Sequence, residues 1–327
     1  KSSMQEKATI LSTSQFHKDV YTGLTDFPKH LSSKYFYDAK GDKLFQEIMD
    51  MPEYYLTNSE YKILDKFKDE ICHVFFKDSE EFDLVELGAG DGKKTKILLR
   101  HLSLKGIPFQ YIPIDISENA LNELKGSINN ELPSVKIKSL QGTYFETLEQ
   151  LCKMQHRKKV IMFLGSNIGN LLHPQAIEFL RNIQELMNKD DIFFIGFDQK
   201  KDPQTILNAY NDSAGITERF NKNLLARINV ELDADFDLNK FSHWEVYDPE
   251  SGTAKSYLVA RENQTVRING LDLTVTFDAW ETIHTEISQK YDDKVVLWLA
   301  DKAGMRISSV FSDENKFYKN YILKKRI

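Results

Sequence analysis

Between residues 82 and 198, apolar runs alternate with stretches in which apolar residues recur every three or four positions. The runs FDLVELG, FQYIPIDI, VKIKSLQ, KVIMFLGS and DDIFFIGFD read as strands. KKTKILLRHLSLKG, ENALNELKGSINNEL and PQAIEFLRNIQELM read as helices. Val160 to Leu164 is continuously apolar rather than alternating, as expected of a strand covered on both faces. Strand–helix alternation of this kind predicts a parallel sheet wrapped by helices. Ahead of it, residues 1–60 mix helical periodicity with an aromatic-rich loop, KYFYDAKGDKLFQEIMDMPEYYLTNSE. Asn58 or Ser59 is placed to cap the helix EYKILDKFKDEICHVF.

The pattern changes after Asp198. DPQTILNAYNDSAGITERFNKNLLARINVEL reads as helices, and residues 243–290 read as antiparallel strands. Asn269-Gly270, between two alternating runs, is a strong hairpin signal, and DPESG at 248–252 marks another turn. A helix, DKVVLWLADKAGM, and two strands, RISSVFSD and KNYILKKRI, then return to the first sheet. The predicted fold is α/β, a doubly wound, mostly parallel core with an inserted α+β domain. The expected domains are 57–198 with 291–327, and 1–56 with 199–290.

Composition adds exclusions. The chain has 327 residues, 41% of them hydrophobic, and a formal net charge of −6. That is ordinary globular composition, and the acidic balance with scattered lysines disfavours nucleic-acid binding. The two cysteines, Cys72 and Cys152, lie far apart, so a cytoplasmic protein without disulfides is expected. KSSMQEKATILSTSQ lacks the apolar stretch of a secretory signal, and no run reaches membrane-spanning length. The eight histidines show no metal-ligand spacing, so no metal is expected. A monomer is the expectation.

Candidate chemistry starts at DLVELGAGDGKKT. Glycines at 88, 90 and 92 give G-x-G-x-G, whereas the dinucleotide fingerprint requires G-x-G-x-x-G and position 93 is Lys. Glu86 precedes the turn, and E-x-G-x-G at a strand end resembles the first motif of S-adenosylmethionine-dependent methyltransferases. Without a Cβ the backbone can approach a ligand closely. Asp115 ends the next strand and can accept two ribose hydroxyl protons. A turn that merely needs positive φ remains the bland alternative.

Flanking motifs narrow this further. KYFYDAKGDKLFQEI, PEYYLTNSE, VELGAGDGKKT, FLGSNIGNL, AYNDSAGITERFNKNLL, ELDADFDL and TEISQKY follow one another in this order. From about residue 20 onward the chain resembles the histidine-specific Nα-methyltransferases, whose bacterial members act in ergothioneine biosynthesis. The resemblance implies a Rossmann-like class I methyltransferase core with a separate substrate domain. It also implies methyl transfer from S-adenosyl-L-methionine to the α-amine of L-histidine, ending at the trimethylated hercynine.

The cofactor residues implied are Tyr37, Gly88, Lys94 and Asp115. Thr143 and Tyr144 stand where the family has an acid followed by an aromatic. The substrate residues implied are Tyr54, Gly165, Asn170, Tyr210, Glu286 and Ser288, with Ser256 in place of a family Met. Tyr37 and the Gly165 carbonyl would serve the reacting amine. Asn170 and Tyr210 would bind the α-carboxylate, and Tyr54, Glu286 and Ser288 would face the imidazole.

Plainer readings stand beside these. Tyr55 reads as packing, and Tyr210 alone could be a core aromatic. Lys94 opposes a helix dipole, which hints at a carboxylate partner. If IHTEISQ is a strand, His284, Glu286, Ser288 and Lys290 share one face. Phe45 and Tyr37 could stabilise a cationic ammonium. The competing functions are a methyltransferase of another amino acid, such as a tryptophan derivative, and a catalytically idle ligand-binding module. A dehydrogenase is more distant.

Overall fold

A computed structural model of the protein describes residues 15–154 and 156–327. The expectations for the first fourteen residues, the missing secretory stretch and the start of the substrate domain, lie outside the described residues. The elements in chain order begin with helix α1 (15–25), strand β1 (Lys29–His30), α2 (Ala39–Met49), α3 (Tyr55–Phe76) and β2 (Phe82–Leu87). Then come α4 (Thr95–Leu104), β3 (Phe109–Asp115), α5 (Glu118–Glu131), β4 (Lys136–Ile137), β5 (Leu140–Gln141) and α6 (Tyr144–Met154). β6 (Lys158–Phe163), α7 (His173–Leu186), β7 (Ile192–Asp198), α8 (Pro203–Ala209) and α9 (Ile216–Glu231) follow. β8 (Phe241–Asp248), β9 (Thr253–Ala260), β10 (Gln264–Ile268), β11 (Leu273–Phe277) and β12 (Thr282–Gln289) come next. The series ends with α10 (Asp293–Lys302), β13 (Met305–Ser312) and β14 (Tyr318–Lys325).

The chain divides into two compact units, Lys1–Tyr55 with Lys201–Ser288, and Leu56–Lys200 with Gln289–Ile327. The sequence placed the breaks after residues 56, 198 and 290; the division falls after 55, 200 and 288.

The larger unit is a doubly wound α/β core. Its sheet runs β13-β14-β7-β6-β2-β3-β4, with β5 also on β3. β2 to β7 pair in parallel with one another, and β14 lies antiparallel between β7 and β13. Alternate strand residues feed two apolar layers. Leu84, Val160 and Phe194 pack with Ile63, Phe75, Leu98 and Leu124 from α3, α4 and α5. Val85, Ile161 and Phe193 pack with Leu148, Leu180 and Leu299 from α6, α7 and α10. Helices on both faces explain why β2 and β7 are buried at every position, and why β7 is apolar from Ile192 to Phe197 while β2 is broken only by the buried Asp83 and Glu86. β2 is where the strand order reverses, so the loops after β2 and β6 flank a topological switch point, the place where open α/β sheets bind ligands.

Two readings need correction here. VKIKSLQ is not one strand: it breaks into β4 and β5, each two residues long and each pairing β3. Asn58 and Ser59 do not cap α3, which starts earlier, at Tyr55. Tyr55 and Leu56 are buried, and that burial outweighs the capping preference of the polar pair that follows.

The smaller unit is α+β. Its four-stranded sheet runs β1-β12-β9-β8, with β1 parallel to β12 through Lys29↔Ile283. β8 and β9 meet through the 248–252 turn, where Gly252 N donates to Asp248 O at 2.8 Å. β10 and β11 form the expected hairpin, but its connection is a 3-10 turn, Asn269–Leu271, followed by Asp272 at φ +45°. Gly270 is needed for space instead: a Cβ there would lie 2.7 Å from Leu232 O at the end of α9.

The segment 34–60, expected to be an aromatic-rich loop, is mostly helical. A 3-10 turn, Ser33–Phe36, leads into α2, capped by Asp38, whose carboxylate accepts from Gly41 N at 2.8 Å. Asn223 Nδ2 on α9 donates to the same oxygen at 2.8 Å, and Phe36 stacks on Phe220 at 4.6 Å. These contacts fasten the N-terminal segment to α9.

A Cβ at Gly41 would lie 1.6 Å from Phe36 O, a backbone atom that cannot swing aside. Gly41→Ala should therefore destabilise the protein by about 1–3 kcal/mol. Thermal denaturation checks this; an unchanged melting temperature would reject the close packing.

Candidate active site

In the larger unit the turn after β2 is built on three left-handed glycines, Gly88, Gly90 and Gly92, at φ +68°, +58° and +71°. A Cβ at Gly88 would lie 2.5 Å from Tyr144 Oη, and one at Gly92 would lie 2.6 Å from Leu124 Cδ1. One at Gly90 would meet nothing within 4 Å, so the middle of the turn is where backbone is open to close approach. Asp115 ends β3, and its carboxylate accepts from Ser117 N at 2.9 Å. Tyr144, the first residue of α6, has its phenol pushed up to about 12 by burial and then by Asp115 and Glu86. Thr143, beside it, is exposed.

Glu86 lies beneath this turn rather than in it. It is buried and accepts from Thr95 Oγ1 at 2.7 and 2.8 Å and from Tyr111 Oη at 2.5 Å. Burial raises its carboxyl to about 7 despite these two donors and Lys94.

The loop after β6 carries Gly165, Ser166 and Asn170. Gly165 and Ser166 both adopt left-handed backbone, at φ +75° and +54°. For a serine this costs energy that neighbouring contacts must offset. Ser166 Oγ accepts from Asp198 N at 2.9 Å, and Gly169 N donates to Ser166 O at 2.9 Å. Gly165 N donates to the Glu60 carboxylate at 2.8 Å. Asn170 ends the 3-10 turn Asn167–Asn170 and is exposed.

Lys94 does have a carboxylate partner, and it is this chain's own: its ammonium bonds Glu60 Oε1 at 2.5 Å. Sequence reasoning missed Glu60, which sits mid-helix in a polar stretch and gave no signal of its depth.

In the smaller unit, Tyr37, Phe45, Tyr54 and Tyr210 form a chain of edge contacts, with centroids 5.6, 6.4 and 6.4 Å apart in turn. Tyr37 immediately precedes the Asp38 cap, which fixes its place. Its phenol is raised well above its ordinary value, by burial and then by Glu286, Tyr54, Asp42 and Tyr210. The residue keeps 43% of its surface exposed, which weakens the burial part, but the negative Glu286 acts in the same direction. Tyr210 Oη lies 2.7 Å from Ser288 Oγ on β12.

His243 on β8 holds Tyr210 from behind. Its Nε2 is 2.7 Å from Tyr210 O, and Asn221 Nδ2 is 2.8 Å from its Nδ1 and 3.1 Å from Tyr257 O. Carbonyls only accept, so Nε2 carries the proton and Nδ1 accepts. Burial lowers this histidine's pKa, keeping it neutral. Nothing in the sequence singled it out.

The structure thus groups Tyr37, Phe45, Tyr54, Tyr210, Glu286 and Ser288. It does not add Lys290 or Ser256 to them. Lys290 lies past the end of β12 and pairs with the fully buried Asp198 at 2.7 Å. Ser256 is buried and donates its hydroxyl to Glu245, its register partner on β8. Tyr55 accepts from Lys201 Nζ at 2.6 Å, a packing role as expected. Among the described residues, no three His, Cys, Asp or Glu side chains are grouped to hold a metal ion.

Glu86 makes a pH-dependent prediction. A carboxyl whose folded pKa is raised contributes most below its unfolded pKa, near 4.5, and loses that contribution as pH rises to about 7. Glu86→Gln lacks this loss, so its stability relative to wild type should rise across that window by up to about 3 kcal/mol and then level off. Urea unfolding of both proteins from acid to neutral pH measures this; a constant difference would refute it.

A profile of the family described as "Histidine-specific methyltransferase, SAM-dependent" matches residues 16–325. The chain is 37% identical over 296 residues to the histidine N-alpha-methyltransferase of Mycolicibacterium smegmatis, covering 90% of each. It is 36% identical over 297 residues to that of Mycobacterium tuberculosis, covering 91% of each. Ergothioneine biosynthesis protein 1 of Schizosaccharomyces pombe is 31% identical over 304 residues, which make up 90% of this chain and 39% of that one. With its class I sheet and the motifs on both units, the chain belongs to the histidine-specific, S-adenosylmethionine-dependent methyltransferases.

Proposed function

We propose that the protein transfers methyl groups from S-adenosyl-L-methionine to the α-amine of L-histidine, ending at Nα-trimethylhistidine, hercynine. The observation that carries this reading is the joining of Tyr210 to Ser288 beside Glu286, Tyr37 and Tyr54 in a family built for this substrate.

The glycine turn suits the donor. The space over Gly90 admits a ligand against backbone, Tyr144 covers Gly88, and Asp115 stands at the strand end where ribose hydroxyls would be accepted. Lys94 and Thr143 complete that set of residues. When bound, the donor supplies a methyl group already activated on a sulfonium, so neither a metal nor a covalent nucleophile is needed.

The chain's own residues orient the acceptor. A carboxylate and a hydroxyl accept from the two nitrogens of a protonated imidazole; Glu286 and Ser288 offer that pair. If Ser288 donates to Tyr210, Tyr210 keeps its hydrogen as a donor for an α-carboxylate, and Ser288 keeps its acceptor lone pairs. His243 fixes the Tyr210 backbone while this happens. On the larger unit, the family resemblance assigns Asn170 to an α-carboxylate and the Gly165 carbonyl to the amine. Tyr37, with its phenol raised, stays protonated at neutral pH, so it cannot abstract the amine proton as a phenolate. It relays that proton through its neutral hydroxyl and water. With Phe45 it then faces the growing ammonium, a cation–π contact of about 0.5–2 kcal/mol. Good alignment of the reacting atoms supplies up to about 7–11 kcal/mol of the barrier reduction. The free thiols, with Cys72 buried and raised to about 12, suit a cytoplasmic setting. Among the described residues, no helix is long and apolar enough to cross a membrane.

Incubation with histidine and labelled donor, followed by mass spectrometry, should show successive mono-, di- and trimethylhistidine. No methylated histidine alongside methylated tryptophan would overturn the substrate assignment. Glu286→Ala should lower kcat/KM for histidine by about tenfold to hundredfold, the loss of one charge-assisted bond. Full retained activity would reject the imidazole contact.

A further inference from the structure

Glu60 lies on α3 and is fully buried, and both of its oxygens are doubly engaged. Oε1 accepts from Lys94 Nζ at 2.5 Å and from Gly165 N at 2.8 Å. Oε2 accepts from Tyr318 Oη at 2.7 Å and from Asn320 Nδ2 at 2.9 Å, both on β14. A carboxylate has about four lone-pair sites, and here each has a donor. The two oxygens face different parts of the fold. Oε2 is anchored to the sheet. Oε1 reaches the start of α4 below the glycine turn and the left-handed loop after β6, the two elements that flank the switch point.

A second observation shows that the sheet makes room for this side chain. Gly196, in the middle of β7, is not one of the positive-φ glycines, so its backbone does not require glycine. A Cβ there would lie 2.0 Å from Tyr318 Oη and 2.3 Å from Glu60 Oε2. Its missing side chain is the space in which carboxylate and phenol meet.

We propose that Glu60 is a positioning residue: it ties Lys94, on the donor side, and Gly165, on the amine side, to one rigid anchor on β14. A buried carboxylate with four donors does not give up one partner without leaving an unmet lone pair. Lys94 and Gly165 are therefore held in a fixed relation within this unit, and displacing Glu60 disturbs both at once. Anchoring the Gly165 amide also fixes the peptide that follows, whose carbonyl is the amine acceptor. This rests on the proposed function for its kinetic arm only.

The test uses E60Q, which removes the charge at constant size, and G196A, which crowds the carboxylate while leaving every charge in place. S-adenosylhomocysteine affinity is read by calorimetry, kcat and KM for histidine by turnover, and folding by thermal melting. Both variants should lose roughly tenfold in S-adenosylhomocysteine affinity and at least about tenfold in kcat/KM, as expected of small misplacements. A purely structural role would lower the melting temperature and leave both constants at wild-type values in the folded protein; that result overturns the proposal. If the wild type does not methylate histidine, the functional reading falls, and the S-adenosylhomocysteine affinities alone judge Glu60. A third measurement needs no variant. Hydrogen exchange in the wild type should find the Gly165 amide strongly protected, and rapid exchange there would overturn the proposal even if neither variant folds.

Discussion

A carboxylate taken out of water has to be met by donors, and the loops at the switch point are arranged around that requirement. Glu60 and Glu86 both lie beneath them, one facing the loop after β6 and the helix that follows the glycines, the other facing Thr95 and Tyr111. Each brings together elements that the sheet alone would leave independent. The sheet is a generic scaffold of buried apolar strands; its ligand-facing edge is made specific by two anions and the donors gathered on them. The glycines matter here through what they leave out: Gly196 gives the anion its space, and Gly90 leaves backbone open.

The smaller unit meets the opposite problem. Its cluster is made of neutral hydroxyls and rings, with Glu286 as the nearby charge. Such groups have weak orientation preferences of their own. Their positions come from supports behind them: Asp38 and Asn223 for Tyr37, His243 and Asn221 for Tyr210. Recognition of a small polar ring depends on hydroxyls being held where the ring's protons arrive. That is a task for packed neighbours rather than for the hydroxyls themselves.

The alternating core was legible because strands covered on both faces leave continuous apolar runs, as in residues 160–163 of β6 and 192–197 of β7. The hairpin signal at Asn269-Gly270 was legible too, though the left-handed residue proved to be Asp272, and Gly270 answers to α9. The start of α3 was misread because capping preference is local, whereas burial of Tyr55 and Leu56 is a tertiary effect. Most candidate residues came from the resemblance rather than from periodicity. What neither supplied were the partners behind them, Glu60 and His243. A glutamate in TNSE and a histidine in FSHW look like solvated residues until β14 closes over the first and Tyr210 and Asn221 meet the second. Ser256 shows the same limit: its identity was plain, but its bond to Glu245 was not.

The strand order has a consequence for biosynthesis. β14 lies between β7 and β13, and it carries Tyr318 and Asn320, the donors that complete the Glu60 shell. Likewise β1 finds its neighbour only at β12, some 250 positions downstream, so each unit contains a long-range pairing, Lys29 with Ile283 across most of the chain and Asp198 with Tyr318 across about a third of it. A nascent chain still emerging from the ribosome therefore holds an unshielded Glu60 and an open sheet edge until β14 arrives. Such an intermediate is a natural client for chaperones, and a product clipped ahead of β14 would be recognisable to proteases by that same exposed seam.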